Sequence, residues 1–284
     1  FAPAFLLLFP LFTEEERITM LVKKNPAYQL IRILFLFSIV FPFLVLILLS
    51  FSERYTWPGI LPGNYSLRAI RSILFQRKAL FLNCLFSIFF SVMVSLCTIM
   101  AAYCTAKWQS EHKESSLLSF CIFLPFMIPS SVFAMGAQIL FLRLPFKNAY
   151  LSVFLSHVLY CLPYATSYLT EGMEGKIKRL EEQGKVFGVS GLYLLYKVSI
   201  PLLMPYLIPA FMMSFILSMS QYILTVLLGG GKLKTLSLIM VPFIQSGERN
   251  LASVYGLLFL LSSFLLFLLM EMLMRGLKRR EKVC

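Results

Sequence analysis

The sequence predicts an all-α integral membrane protein with six transmembrane helices, and three observations carry that prediction. Of its 284 residues 59% are hydrophobic and only 14% charged, whereas a soluble domain carries about 25% charged residues. The chain therefore lacks the polar surface to cover a globule. Apolar runs long enough for a helix to cross the hydrocarbon core recur along it. The polar alternation of a barrel strand is absent, and in lipid such runs satisfy their backbone only as helices.

Composition also excludes whole classes of function. The formal net charge is +13, but the Lys and Arg cluster in short segments flanking apolar runs, which signals membrane orientation. Nucleic acid is not an expected partner; membrane lipid is. Cys84, Cys97, Cys104, Cys121 and Cys161 lie in or beside apolar runs without a CxxC pair. His112 and His157 are far apart and have no ligand-spaced companions, so no metal site is expected. There is no HExxH, GxSxG or phosphate-binding GxxxxGK[ST], and with no Asp in the chain a Ser-His-Asp triad cannot form. The chain is not expected to be an enzyme or to hold a cofactor.

Taken in order, residues 1–29 read as a cytoplasmic or interfacial lead-in, because the apolar start is short and carries Pro3 and Pro10. It also lacks the basic n-region of a signal peptide. Residues 30–80 hold the first span, 30–49, with Pro42 expected to kink it, and an outer loop with turn signals at Trp57-Pro-Gly and Pro62-Gly. Within that loop, 67–80 alternates Ile70, Ile73, Leu74 and Leu80 with Arg68, Arg71, Arg77 and Lys78, an interfacial amphipathic pattern. A core of five further spans follows over 81–274. Span two, 81–106, carries Asn83, Ser87, Ser91 and Ser95 on one helical face, either a close-packing seam or a cavity wall. Span three, 116–142, is interrupted by Pro125 and Pro129; span four covers 150–169. A charged cytoplasmic loop at 170–200 leads to span five, 202–228, then a loop to Asn250 and span six, 251–274. A basic cytoplasmic tail, 275–284, ends the chain.

Six spans place both termini on one side. With the termini inside, most Lys and Arg fall inside as well, including Lys23, Lys24, Lys107, the cluster at 176–185 and the tail. Loop Lys and Arg set orientation, so both termini and the 170–200 loop are expected in the cytoplasm.

That loop is written for water in a chain written for lipid. Ile177, Leu180, Gly184 and Phe187 share one helical face at spacings of three and four, with Lys178, Arg179, Glu181, Glu182 and Lys185 around them. Gly184 inside a helix costs about 1 kcal/mol against Ala, so a surface approaching closely there is expected. Gly188 is placed to end the helix.

The pattern Glu182-Gln-Gly184, then Gly188, then Ile200-Pro201-Leu202 and Pro205 resembles the EAA loop of ABC-importer permeases, with Gln183 and Gly184 where that family has two Ala. Leu82-Asn-Cys-Leu resembles its Asn-Ser-Leu opening of a core span, and Pro125-Phe-Met-Ile-Pro129 with Gly136 its Pro-x-x-x-Pro segment. Leu227-Leu-Gly-Gly-Gly-Lys-Leu-Lys-Thr-Leu236 resembles the turn after span five in the ferric-iron, polyamine, thiamine and sulfate branch. The resemblance implies a type I importer permease in a bacterial inner membrane, with a second permease chain, identical or homologous, completing the path. It implies ATP-binding cassette ATPase subunits, which would hold ATP and Mg, and an extracytoplasmic substrate-binding protein. It also makes the loop a coupling helix, with Leu180, Glu182, Gly184, Phe187, Gly188 and Pro201 meeting the ATPase. The cargo would be a small solute: thiamine-, polyamine-, ferric-iron- or anion-like.

In span five Ser214, Ser218, Gln221 and Thr225 form one polar stripe, which either lines the substrate path or packs against a neighbouring helix. Met135 and Gln138 of span three are further path candidates. The competing reading is an ATP-independent carrier or channel, which needs intramembrane ionisable groups or a carbonyl filter. The spans hold no acid except Glu271 at the end of span six.

Overall fold

A computed structural model describes residues 26–53, 62–75, 77–112, 116–144, 148–173 and 176–281. The lead-in before residue 26, Trp57 with its neighbours, and the side chains of the basic tail lie outside the described residues. Among those described, the chain is helices joined by short turns and loops, with one antiparallel bridge between Ser52 and Tyr65.

Helix α1 (Pro26–Ser50) runs unbroken through Pro42 and packs along the last helix, leaving most of its apolar side chains exposed. The amphipathic segment after it is a short helix, α2 (Arg68–Phe75), which buries Ala69 and Ile73 and exposes Arg68 and Arg71. Helix α3 (Arg77–Glu111) has 35 residues, about 52 Å at 1.5 Å per residue. The hydrocarbon core is only about 30 Å thick. Its final turns, with Lys107, Ser110 and Glu111, therefore overhang the apolar part.

Span three is two helices, α4 (Ser116–Met127) and α5 (Ser130–Arg143), bent by 116° at the break between them. Pro129 has no N–H for the ladder and pushes Ile128 out of the helical region, so the break falls at Pro129, whereas the interruption expected at Pro125 is absent because α4 runs through it to Met127. Helix α6 (Ala149–Met173) packs against α3, α4 and α5. The charged loop forms α7 (Lys176–Val186).

Two expectations are corrected downstream. Span five was read as one run from 202, but helix α8 (Gly191–Leu194), a π-helical turn (Leu195–Ser199) and α9 (Ile200–Ser220) form one continuous span candidate, Gly191–Ser220. It then breaks at Gln221, before α10 (Tyr222–Gly229). The expected loop to Asn250 contains α11 (Leu236–Gln245), whose first turn is capped by the Thr235 hydroxyl accepting from the Leu238 N–H. Helix α12 (Arg249–Glu281) closes the described chain.

Among the described residues four helical segments are each long and apolar enough to cross a membrane: within α1, α3, Gly191–Ser220 and α12. The bent α4–α5 pair makes a fifth if it is one span. Helix α6 is as long but more polar, with Ser152, Ser156, His157 and Thr166 buried among its neighbours. It is the hub of the fold, so those groups face protein.

The core forms where α3, α6 and α9 meet. Ala102, Ala106, Ala165 and Ala210 are fully buried there, small side chains that let helices approach where lipid offers no hydrophobic drive. Gly172 belongs to the same seam; a Cβ there would lie 2.6 Å from the Tyr206 ring. The α3 stripe is a packing seam: Ser87, Ser91 and Ser95 are buried, and the Ser87 hydroxyl accepts from the Leu236 N–H at 2.8 Å.

Candidate functional site

The overhanging end of α3 holds α7 in place. Lys178 Nζ donates to the Ser110 carbonyl at 2.6 Å, and Lys185 pairs with Glu111 at 3.7 Å. Glu181 pairs with Lys107 at 3.6 Å and accepts a hydrogen bond from the buried Ser199 hydroxyl. That hydroxyl also lies 3.3 Å from the Leu194 carbonyl. Charges that read in the sequence as a solvated face are thus largely internal ties.

Under α7, Leu194 is buried and faces Gly184: an added Cβ would stand 2.4 Å from Leu194 Cδ2. The close approach expected at Gly184 is made by this chain's own α8. Gly188 sits at φ +73°, a conformation L side chains avoid. The Val189 N–H reaches the Gly184 carbonyl and the Gly188 N–H the Lys185 carbonyl, both at 3.0 Å. Together these bonds are a Schellman cap that stops the helix, as the glycine spacing predicts.

The cap turns the chain so that Val186 and Phe187 point outward, 85% and 83% exposed. Leu192, Tyr193 and Tyr196 on the following turn are exposed as well. Glu182 and Gln183 are also exposed, Leu180 and Pro201 half-buried. A segment tied by ion pairs therefore exposes Val186, Phe187, Leu192, Tyr193 and Tyr196, and Glu182, which has no ion pair among the described residues, is exposed as well.

The path candidates divide differently. Ser214, Ser218, Gln221 and Thr225 are all buried within this chain. Ser214 donates to the Ala210 carbonyl and Thr225 to the Gln221 carbonyl. Gln138 is half-buried and donates through Nε2 to the Leu227 carbonyl at 3.1 Å; Met135 is exposed. Gln138 and Leu227 also line a cavity of about 320 Å³ with Phe141, Leu142, Ala149, Ser152 and Leu228. Phe126 stacks edge-on to Tyr164, and Phe133 lies against Tyr160, giving the α4–α6 side an aromatic character. Among the described residues no group of His, Cys or Glu could hold a metal ion.

Sequence reasoning passed over Glu181, whose partners come from α3 and the turn before α9, and His157, which proves to be the centre of a buried cluster. Neither carries a spacing signal, because both depend on helices far apart in the chain.

The profile of the binding-protein-dependent transport system inner membrane component family matches residues 98–283, from the middle of α3 through the tail. The chain belongs to that family. As an ABC permease it is similar along most of its length to known members. It is 25% identical over 238 residues to the spermidine/putrescine transport system permease protein PotC of Escherichia coli K12, covering 82% of this chain and 88% of the relative. The PotC of Haemophilus influenzae is 23% identical over 237 residues, covering 82% and 91%. The putative 2-aminoethylphosphonate transport system permease protein PhnV of Salmonella paratyphi A is 28% identical over 244 residues, covering 84% and 90%.

Proposed function

We propose that this permease forms half of the translocation path of an ATP-driven importer and couples to a separate ATPase through α7. The observation that carries the reading is the exposed patch of Val186, Phe187, Leu192, Tyr193 and Tyr196 on a segment held rigidly by Lys107, Ser110 and Glu111. Burying large apolar side chains stabilises an interface by about 25 cal/mol per Å², and a pinned helix transmits displacement instead of flexing. Glu182, with no ion pair to its own chain among the described residues, would supply a charge-assisted hydrogen bond to the ATPase.

In this reading α6 is the sixth span, both termini are cytoplasmic, and a second permease chain faces the exposed α4–α5 side. Met135 faces that path and Gln138 borders it. Ser214, Ser218, Gln221 and Thr225 shape it from behind, being buried. The transport systems named for the relatives handle small aliphatic amines, so a small solute bearing a primary ammonium group is the proposed cargo. Since the spans offer almost no acid, its charge would be met by aromatic faces, by the second chain and by the binding protein.

The test is ATP-driven uptake in cells, with the ATPase followed by co-purification. Phe187→Asp and Gly188→Asp should each release the ATPase and lower uptake at least tenfold while the chain still reaches the membrane. Normal uptake in a strain without the ATPase, or transport by the reconstituted chain without nucleotide, would overturn the reading.

A further inference from the structure

The helix break at Gln221 ends the span candidate Gly191–Ser220 in an apolar stretch, and its partners are specific. Helix α9 ends at Ser220, Gln221 is extended (φ −73°, ψ 94°), and α10 begins at Tyr222. A helix broken in lipid strands backbone groups that water cannot reach, so such breaks persist only where protein satisfies them. The Ser220 hydroxyl donates to the Leu217 carbonyl at 3.0 Å, one of the carbonyls the break leaves without a helical donor, while within the next helix the Thr225 hydroxyl donates back to the Gln221 carbonyl at 2.6 Å.

From α6, the fully buried His157 reaches both sides of the break. Its Nδ1 lies 3.1 Å from Ser218 Oγ on α9, and its Nε2 3.2 Å from Thr225 Oγ1 on α10. Counting hydrogens assigns the ring. Thr225 spends its one hydroxyl hydrogen on Gln221, so towards His157 it can only accept, and Nε2 carries the hydrogen. Nδ1 is then an acceptor and Ser218 donates to it. The carbonyl that Ser218 would otherwise use, one turn back at Ser214, is met by the Cys161 thiol at 3.6 Å. Phe90 closes the ring edge-on at 5.4 Å. Each ring nitrogen lies within hydrogen-bond distance of a hydroxyl, one on either side of the break, and in a neutral ring the assignment above is the one that satisfies both.

We propose that His157 latches a hinge at Gln221: it is a positioning residue that fixes α10 to α9 and lets α10 swing when released. The last turn of α10 carries Leu227 and Leu228, one wall of the cavity of about 320 Å³ whose other walls come from α5 and the start of α6. A swing of α10 therefore reshapes that cavity. The transport consequence rests on the permease reading above; the hinge itself does not.

The test is hydrogen–deuterium exchange of the purified transporter, read at the amides of residues 222–226, together with uptake per ATP hydrolysed. His157→Leu should raise exchange there about tenfold, as expected for loss of a buried hydrogen bond, with α3 and the rest of α6 unchanged, and should lower uptake per ATP several-fold. His157→Gln places a donor where Nε2 stood and should restore protection of α10; His157→Asn replaces only Nδ1 and should not. Should His157→Leu fail to insert, Ser218→Ala removes the α9 arm, whose hydroxyl bonds His157 Nδ1, and is read the same way. Equal exchange in all variants, or a rise spread evenly over α6 and α9, would overturn the latch. A rise confined to α10 in a chain that imports nothing would keep the latch and sink the permease reading instead.

Discussion

Two adjacent glutamates should behave as unrelated residues. Glu181 is 13% exposed, accepts from Ser199 and pairs with Lys107; Glu182 stands in solvent. Replacing Glu181 by Ala removes a hydrogen bond to a charged group, about 1.5–3 kcal/mol. The ion pair adds at most about 1 kcal/mol, because Lys107 is 34% exposed and water screens it. Part of that is offset, since Ser199 keeps the Leu194 carbonyl within reach. The net loss is about 2 kcal/mol, or about thirty-fold in the local opening of α7. Hydrogen exchange over residues 177–189 of the purified transporter should accelerate by that factor in Glu181→Ala and stay within about twofold of wild type in Glu182→Ala. Glu182→Ala should act only on ATPase retention and uptake. If both variants loosen α7 equally, or Glu181→Ala leaves exchange unchanged, the division of labour between the two carboxylates is wrong.

Other substitutions test the packing beneath the site. Gly172→Ala would drive a methyl to 2.6 Å from the Tyr206 ring and 2.9 Å from Leu203 Cδ2, overpacking the α6–α9 seam at a cost of about 1–3 kcal/mol; thermal unfolding in detergent should show a clear fall in midpoint. Ser87→Ala should strand the buried Leu236 N–H at a cost of about 1–3 kcal/mol. Ser87→Thr, which keeps the hydroxyl, should recover most of that loss in the same assay.

Much of the architecture was legible without coordinates. Lipid imposes one rule, that backbone be satisfied within the segment, so apolar run length read out the long helices directly. Pro129 marked the bend in span three because proline chemistry is local, whereas Pro125 lies inside α4 without breaking it. Gly188 marked the end of α7 for the same reason, since positive φ is almost reserved to glycine among well-packed turns. Spacing put the α3 stripe on one face, but that Ser87, Ser91 and Ser95 form a seam and not a cavity wall was decided by their burial against neighbouring helices.

The break at Gln221 carried no such mark. No proline or glycine stands there, and its long-range partner, the imidazole of His157, comes from a helix about 60 residues away. Helix α11 was missed because it is short, and a ten-residue apolar stretch after a glycine run reads as easily as loop.

The charged segment between the spans shows where the boundary lies. Its residues determined that the segment leaves the lipid, is helical, ends at Gly188 and carries the spacing of a permease coupling loop, because charge, periodicity and backbone preference act over a few residues. Which carboxylate is tied inward, what crowds Gly184, and that the polar stripe of span five encloses His157 were decided only by tertiary structure. Those facts depend on α3 overhanging the bilayer and on α6 crossing α9 and α10, contacts between residues about 60 to 75 positions apart. A sequence states its local preferences openly, but a hydrogen bond exists only once two distant segments share a place.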